Sequence, residues 1–334
     1  MMKKSINTFL LLLVSVSLFA QKPIEKGLNT ITVEAAKAHI EFLASDELEG
    51  REAGFAGGKV AAQYIMSRLK ELKLAPLFSQ GYVQPFDAYR VDHQRKGRFQ
   101  VHPDSIDILK QDTHQRLSMQ NLLAYIPGKN SKETVIVGAH YDHLGLDPYL
   151  NGDQIYNGAD DNASGVSAVL QIAKAFVESG VKPERNIVFA FWDGEEKGLL
   201  GSKYFVYNCE NVNEIKGYLN FDMIGRNNKP EEPTHVVYFY TEAHPVFGDW
   251  LKKDLKKYKL DLTPDYRPWD RPVGGSDNAS FAVKDIPVIW YHTDGHKDYH
   301  KPTDHAEYIN WAKVVNITKA AFLNMWHFAN DSTF

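Results

Sequence analysis

A single cysteine, Cys209, stands in a chain of 334 residues. An internal disulfide and a thiolate-rich metal cluster are therefore excluded, and a lone cysteine of this kind reads as a small apolar residue without a role. The chain has no excess of either charge: its formal net value is −4, which gives it no general attraction for nucleic acid or anionic lipid. No segment recurs with a period of 20–50 residues, so repeat architectures are excluded. No Pro/Gly/Ser-rich linker divides the sequence. The uncharged apolar run Phe9–Phe19 is too short for a membrane-spanning helix, which needs about 20 residues.

What that run does fit is export. Lys3 and Lys4 precede it, and Ala20 then meets Gln21, the layout of a secretory signal peptide cleaved after a small residue. No cysteine follows the run to accept a lipid. The expectation is a signal peptide over 1–20, one domain over 21–334, a periplasmic or secreted location, and no integral membrane segment once the signal is removed. Losing two lysines brings residues 21–334 to a net charge of −6.

Helical spacing of apolar residues predicts helices over Val33–Ser45, Gly58–Leu74, Ala163–Ser179, Pro245–Tyr258 and Asn310–Ala329. Strand-like runs fall at Asn121–Ile126, Thr134–Ala139, Asn186–Trp192, Lys216–Phe221, His235–Tyr240 and Ile286–Tyr291. Apolar strands alternating with amphipathic helices predict one three-layer α/β/α domain around a central, mostly parallel mixed sheet. Residues 80–117 are polar and irregular, and read as a meander or hairpin.

In an open α/β sheet, ligands bind beyond the carboxyl ends of the strands. Nearly every predicted exit here carries an acidic residue or a histidine: His140 and Asp142, Asp193 with Glu195 and Glu196, Asp222, and the stretch from His292 through Tyr299 and His300 to Asp304. The segment Gly158-Ala-Asp160-Asp161-Asn-Ala-Ser-Gly165 precedes a predicted helix. Taken singly, each could be a cap or a solvated turn. Their convergence on one sheet edge is what those readings do not explain. Histidines and carboxylates without thiols form the ligand set of a catalytic zinc site. Massed carboxylates need a cation to offset their repulsion, and there are enough of them for two ions.

These motifs, with Asn220-Phe-Asp222-Met and Tyr299-His300-Lys-Pro-Thr-Asp304, together resemble the M28 family of zinc peptidases, mostly secreted or periplasmic aminopeptidases. The resemblance runs over roughly residues 35–330 and includes the Gly50-Arg51 turn. It implies two Zn2+ per chain. His140 and Asp222 would hold one ion, Glu196 and His300 the other, and Asp160 would bridge them. Asp161 would follow the bridge, where the family has a cis peptide. Asp142 would receive the far ring proton of His140, Glu195 would be the general base, and Tyr299 would stabilise the oxyanion. His292 is an alternative last ligand on geometry alone, while His296 and His305 read as solvated or as supports behind the ligands. Ser276–Phe281 also matches a family motif, giving Asp277 a secondary role near the substrate.

The chemistry implied is hydrolysis of the N-terminal residue of peptide substrates by a metal-activated water, with Glu195 moving the proton. Two other readings share the fold: a glutaminyl-peptide cyclase using one zinc, and a non-catalytic binding protein. The pair Asp160-Asp161 and the stretch 298–304 favour the peptidase, and every ligand that a binding protein would have lost is present.

Overall fold

In the computed structural model, residues 22–91, 98–269, 274–332 and 334 are described; the expected signal peptide lies outside them. Helices α1 (Pro23–Leu28), α2 (Val33–Leu43) and α3 (Ala56–Glu71) open the chain. The short strand β1 (Ala75–Pro76) and the longer β2 (Val83–Val91) follow, then α4 (Pro103–Leu109), β3 (His114–Ile126) and β4 (Asn130–His140). A small hairpin, β5 (Gly145–Leu146) and β6 (Ile155–Tyr156), precedes α5 (Gly165–Ser179). Then come β7 (Arg185–Trp192), α6 (Leu200–Asn208), β8 (Ile215–Phe221), β9 (His235–Thr241) and α7 (Val246–Tyr258). The chain ends through β10 (Thr263–Trp269), α8 (Asn278–Ala282), β11 (Val288–His292) and α9 (Trp311–Asn330).

Each expected strand and helix forms within a few residues of its predicted ends, except that β3 begins at His114 rather than at Asn121. Side chains of a strand alternate between faces, and the core divides accordingly. Ile187, Phe189 and Phe191 of β7 pack on one face with Val135 and Val137 of β4. Val188, Ala190 and Trp192 pack on the other with Ile136. The first face is covered by α5 and α9, whose Val169, Phe176, Val314 and Phe322 are buried there; the second is covered by Phe205 of α6 and Phe281 of α8. Each large apolar side chain so buried is worth about 1.5–3 kcal/mol. This is the expected three-layer α/β/α architecture.

The main sheet runs β1-β3-β7-β4-β8-β11-β9-β10, with β2 paired to β3. Its centre, β7-β4-β8-β11, is parallel, and β3 and β9 flank it antiparallel. Register aligns the carboxyl ends: His140 lies opposite Trp192, Gly138 opposite Asn220, and Tyr291 opposite Phe221. The residues that leave these strands therefore emerge along one edge.

Residues 80–117 contain the hairpin arm β2, paired with β3 from Val83–Leu122 to Val91–His114. Strand β10, which is not among the strands expected from the sequence, contains Pro264 and Pro268. It lies at the sheet edge, where the missing N–H groups cost no ladder bond.

Candidate active site

Four strand exits and one loop meet above β4. His140 ends that strand and is fully buried. Its Nδ1 lies 3.2 Å from the Asp142 carbonyl oxygen, a contact that needs the proton on Nδ1 and leaves Nε2 with a bare lone pair. That Nε2 lies 3.4 Å from Asp161 Oδ1 and 3.6 Å from Asp222 Oδ2, with no hydrogen-bond partner. On the other side, His300 Nε2 lies 3.2 Å from both Asp161 Oδ2 and Glu196 Oε2. Asp161 thus turns one oxygen to each group.

This corrects the expected place of the bridge. Asp160, expected to bridge, faces away: its Oδ1 accepts from Gly225 N at 2.5 Å and Ser164 Oγ at 3.1 Å, and its Oδ2 lies 3.3 Å from His296 Nε2. Asp161, expected to follow the bridge, takes its position. The physical reason is the turn before it, where Gly158 adopts a left-handed conformation (φ 60°, ψ 51°) and sets which of two adjacent aspartates points forward. The cis peptide likewise falls one residue further on, at Asp161–Asn162. His296, expected as solvated or behind the ligands, is buried against Asp160.

The loop is clamped from two directions. Asp304 Oδ2 accepts from the amides of Asp160 (2.9 Å) and Asp161 (3.1 Å). From below, the buried guanidinium of Arg51 donates to the carbonyls of Leu43, Tyr141, Asn157, Gly158 and Asp161. Burial pushes the Arg51 pKa down to about 10, although Asp161 and Asp304 pull it up. Asn162 bonds Phe221 O through Nδ2 and accepts from Met223 N through Oδ1, which fixes the exit that carries Asp222.

Glu195 and Glu196 leave β7 on a turn held by Asp142, whose two carboxylate oxygens accept from the Glu195 and Glu196 amides at 3.0 and 3.4 Å. The Asp142 carboxylate itself lies 3.7 Å from His140 Nδ1, so the carbonyl rather than the carboxylate takes the expected ring proton. Burial holds the Glu195 carboxyl well above its ordinary value, with Asp222 and Asp277 adding to the effect and His140 opposing it. Tyr299 stacks on the His300 ring at 3.8 Å between centroids and stays 45% exposed, so its hydroxyl is free to reach a bound molecule. A cavity of about 200 Å³ opens there, lined by Asp222, Met223, Gly275, Trp290, His292 and Tyr299.

Of the other candidates, His292 lies with Nδ1 2.6 Å from the Asp222 carbonyl oxygen and outside the ligand groups. His305 pairs with Asp153 at 2.9 Å. Asp277 is buried at the start of α8, and burial pushes its carboxyl up to about 7. One residue escaped the reading of the sequence: His143, buried, with Nδ1 2.7 Å from Glu196 Oε1 and 3.8 Å from Asp161 Oδ2. Its signal was the run His140-Tyr-Asp-His143, a second histidine at the same exit.

The donor set fits metal. His140, Asp161 and Asp222 present atoms all within 4.8 Å of one another, as do His143, Asp161 and Glu196, and His140 Nε2 is a buried orphan aimed between carboxylates. Imidazole nitrogens and carboxylate oxygens are what zinc takes in catalytic sites.

Comparison with known proteins points the same way. The family model described as Peptidase family M28 matches residues 121–325. A probable leucine aminopeptidase 2 of Aspergillus oryzae is 35% identical over 194 residues, covering 55% of this chain and 35% of that protein. The match spans about a third of the length of the curated relatives. Among solved structures, a zinc aminopeptidase from Bacillus subtilis superposes with a TM-score of 0.67 at 17% identity, covering 91% of this chain and 97% of that one. A Porphyromonas gingivalis glutaminyl cyclase superposes with a TM-score of 0.63 at 16% identity, over 88% and 97% of the two chains. At these identities the two structures share the fold.

Proposed function

The chain belongs to peptidase family M28, and from that premise we propose that it is a zinc-dependent aminopeptidase, releasing the N-terminal residue of peptides. The observation that carries the reading is Asp161, one carboxylate turned to two groups of otherwise uncompensated donors, with Glu195 leaving the same edge beside them. His140, Asp161 and Asp222 would hold one ion, and Asp161, Glu196 and His300 a second. Zinc, when bound, lowers the pKa of water towards 7 and polarises a carbonyl.

The chain's own groups account for the rest. Glu195 takes the proton of the attacking water and returns it to the leaving amine. Tyr299 donates a hydrogen bond where negative charge develops on the carbonyl oxygen. His143 orients the Glu196 carboxylate from behind, and Asp142 holds both glutamates through their amides. The cavity at Met223, Trp290 and Tyr299 takes the side chain of the N-terminal residue, and the surrounding carboxylates attract its α-ammonium group. The lysine-flanked apolar run at the chain start supports export to the periplasm or beyond.

Purified protein dialysed against metal-free buffer should retain about two zinc per chain and release amine from Leu-anilide. Cyclisation of an N-terminal Gln peptide with one zinc and no anilide hydrolysis would replace this reading with the cyclase.

A further inference from the structure

A second cavity, of about 150 Å³, lies on the opposite side of β4 from the one at Trp290, and its lining is cationic. Arg98, His102, Lys197 and Lys203 contribute, with Phe99 and Leu200 as apolar wall. Strand order fixes the relation. The apolar cavity sits at the exits of β8 and β11, whereas the cationic one is built on the turn leaving β7, and β4 with His140 runs between β7 and β8. A substrate seated over His140 with its N-terminal side chain near Trp290 would extend its released part to the β7 side of β4, the side on which Arg98 and Lys203 lie.

The cavity is anchored to the turn that carries the candidate base. Gly198 N and Leu199 N both donate to the Glu195 carbonyl at 2.8 Å, and Leu200 N donates to Gly194 O at 3.0 Å. Leu200 packs with Phe86, Val101 and Met119. The loop bearing Arg98 is tied back by the paired bonds between Tyr89 and Gln100 at 2.9 and 3.0 Å.

Two of its charges lack a counterion. Lys197 is paired with Glu52 at 2.8 Å. Lys203 Nζ donates only to the Gly198 carbonyl, at 2.9 Å, and among the described residues neither Lys203 nor Arg98 has a carboxylate within ion-pair distance. Burial and the neighbouring Arg98 together lower the Lys203 pKa, while Glu195 and Asp277 work in the opposite direction. Lys203, half-buried, and Arg98, exposed, line one cavity, and two like charges there, each with donors to spare, favour an anion between them.

We propose that this cavity is a carboxylate subsite on the leaving-group side of the active site, so that the preferred substrates carry a carboxylate just beyond the cleaved bond. That carboxylate is either the C-terminus of a dipeptide or an acidic side chain at the second position; one residue of chain spans about 3.5 Å. The inference rests on the aminopeptidase reading.

The test compares kcat/KM for Leu-Gly with Leu-Gly-amide, and for Leu-Glu-amide with Leu-Gln-amide, on the zinc-loaded enzyme. The acid is expected to exceed its neutral counterpart by about tenfold or more in at least one pair, as for a charge-assisted hydrogen bond, and the ratio should fall in 0.5 M salt. The first pair reports a terminal carboxylate and the second a side chain. In Arg98→Gln/Lys203→Gln the ratio should approach one, and Lys203→Glu should invert it; melting curves establish that the variants fold. Should a variant not fold, the wild-type ratio and its salt dependence decide. Ratios near one in the wild type, or unchanged in the folded double variant, overturn the subsite. Failure to hydrolyse Leu-anilide as well would instead overturn the aminopeptidase reading.

Discussion

Replacing Asp161 by Asn should empty both metal positions, whereas replacing Asp160 should empty neither. Asp161 Oδ1 faces His140 and Oδ2 faces His300, so the change removes one unit of negative charge from two ligand groups at once. At 4 Å and an effective dielectric constant of 20, a pair of unit charges is worth about 4 kcal/mol. Each position would thus lose about three decades of zinc affinity, at about 1.4 kcal/mol per decade. Asp160 touches Gly225 N, Ser164 Oγ and His296, none of which belongs to the ligand groups. Its amide would keep the Oδ1 acceptor and set its NH2 against the His296 Nε2–H. The cost is about 1–3 kcal/mol in stability, with no more than the 10–100-fold loss of affinity typical of supporting residues. Zinc content after equilibrium dialysis against a chelator-buffered series measures both constants. Asp160→Asn losing as much zinc as Asp161→Asn, or Asp161→Asn keeping two ions, would refute the geometric assignment.

Three further outcomes are expected. Glu195→Gln should keep its zinc and lower kcat for Leu-anilide by about 10² or more; loss of metal instead would show that Glu195 and Glu196 exchange roles. Arg51→Met strips the donors from five buried carbonyls and should cost about 3–5 kcal/mol, read from the urea midpoint; a midpoint within error of the wild type would show that the clamp is dispensable. His39, whose Nδ1 lies 2.8 Å from the Tyr64 hydroxyl, has its pKa pushed down to about 4 by burial, helped by Arg68 and Lys174. With a folded value below the ordinary 6.5, its contribution to stability is complete above pH 6.5. That contribution is lost as pH falls from 6.5 to 4, up to about 3 kcal/mol, and His39→Gln should flatten that part of the pH profile.

The strands, the sheet edge and most of the site were legible because they rest on periodicity and on where strands end. Val135–Ala139 and Ile187–Trp192 announce buried strands, and the residues after them have nowhere to go but the common edge. What escaped depends on backbone turns and on bonds to carbonyls. Asp160 and Asp161 are chemically identical neighbours, so the motif holds both and the left-handed Gly158 chooses between them. Arg51 was visible as part of a Gly-Arg turn, yet its five acceptors are main-chain oxygens, which leave no trace in residue identity. Strand β10 was hidden by its two prolines, which mark an edge rather than a loop.

Charge compensation explains why so many carboxylates can be buried along one edge. Four of the rear ones are met by the protein itself. Asp142 accepts two amides from the β7 turn, Asp304 accepts two from the loop and lies 3.5 Å from Arg226, Asp160 accepts from Gly225 and Ser164, and Asp298 pairs with Arg226. The forward ones, Asp161, Glu196 and Asp222, face one another across imidazole rings, with no lysine or arginine of the described residues among their ion-pair contacts. Burying carboxylates without full compensation costs several kcal/mol each, so a fold that satisfies the rear set with its own N–H groups and meets the forward set with imidazole rings suits that place to cations from outside. Arg51 reinforces the division. Its charge lies beneath the loop and is spent on carbonyls, so it fixes the position of Asp161 without occupying the space in front of it. On the far side of β4 the charges without an ion-pair contact among the described residues, Arg98 and Lys203, are positive, which is why the subsite proposed there is one for an anion.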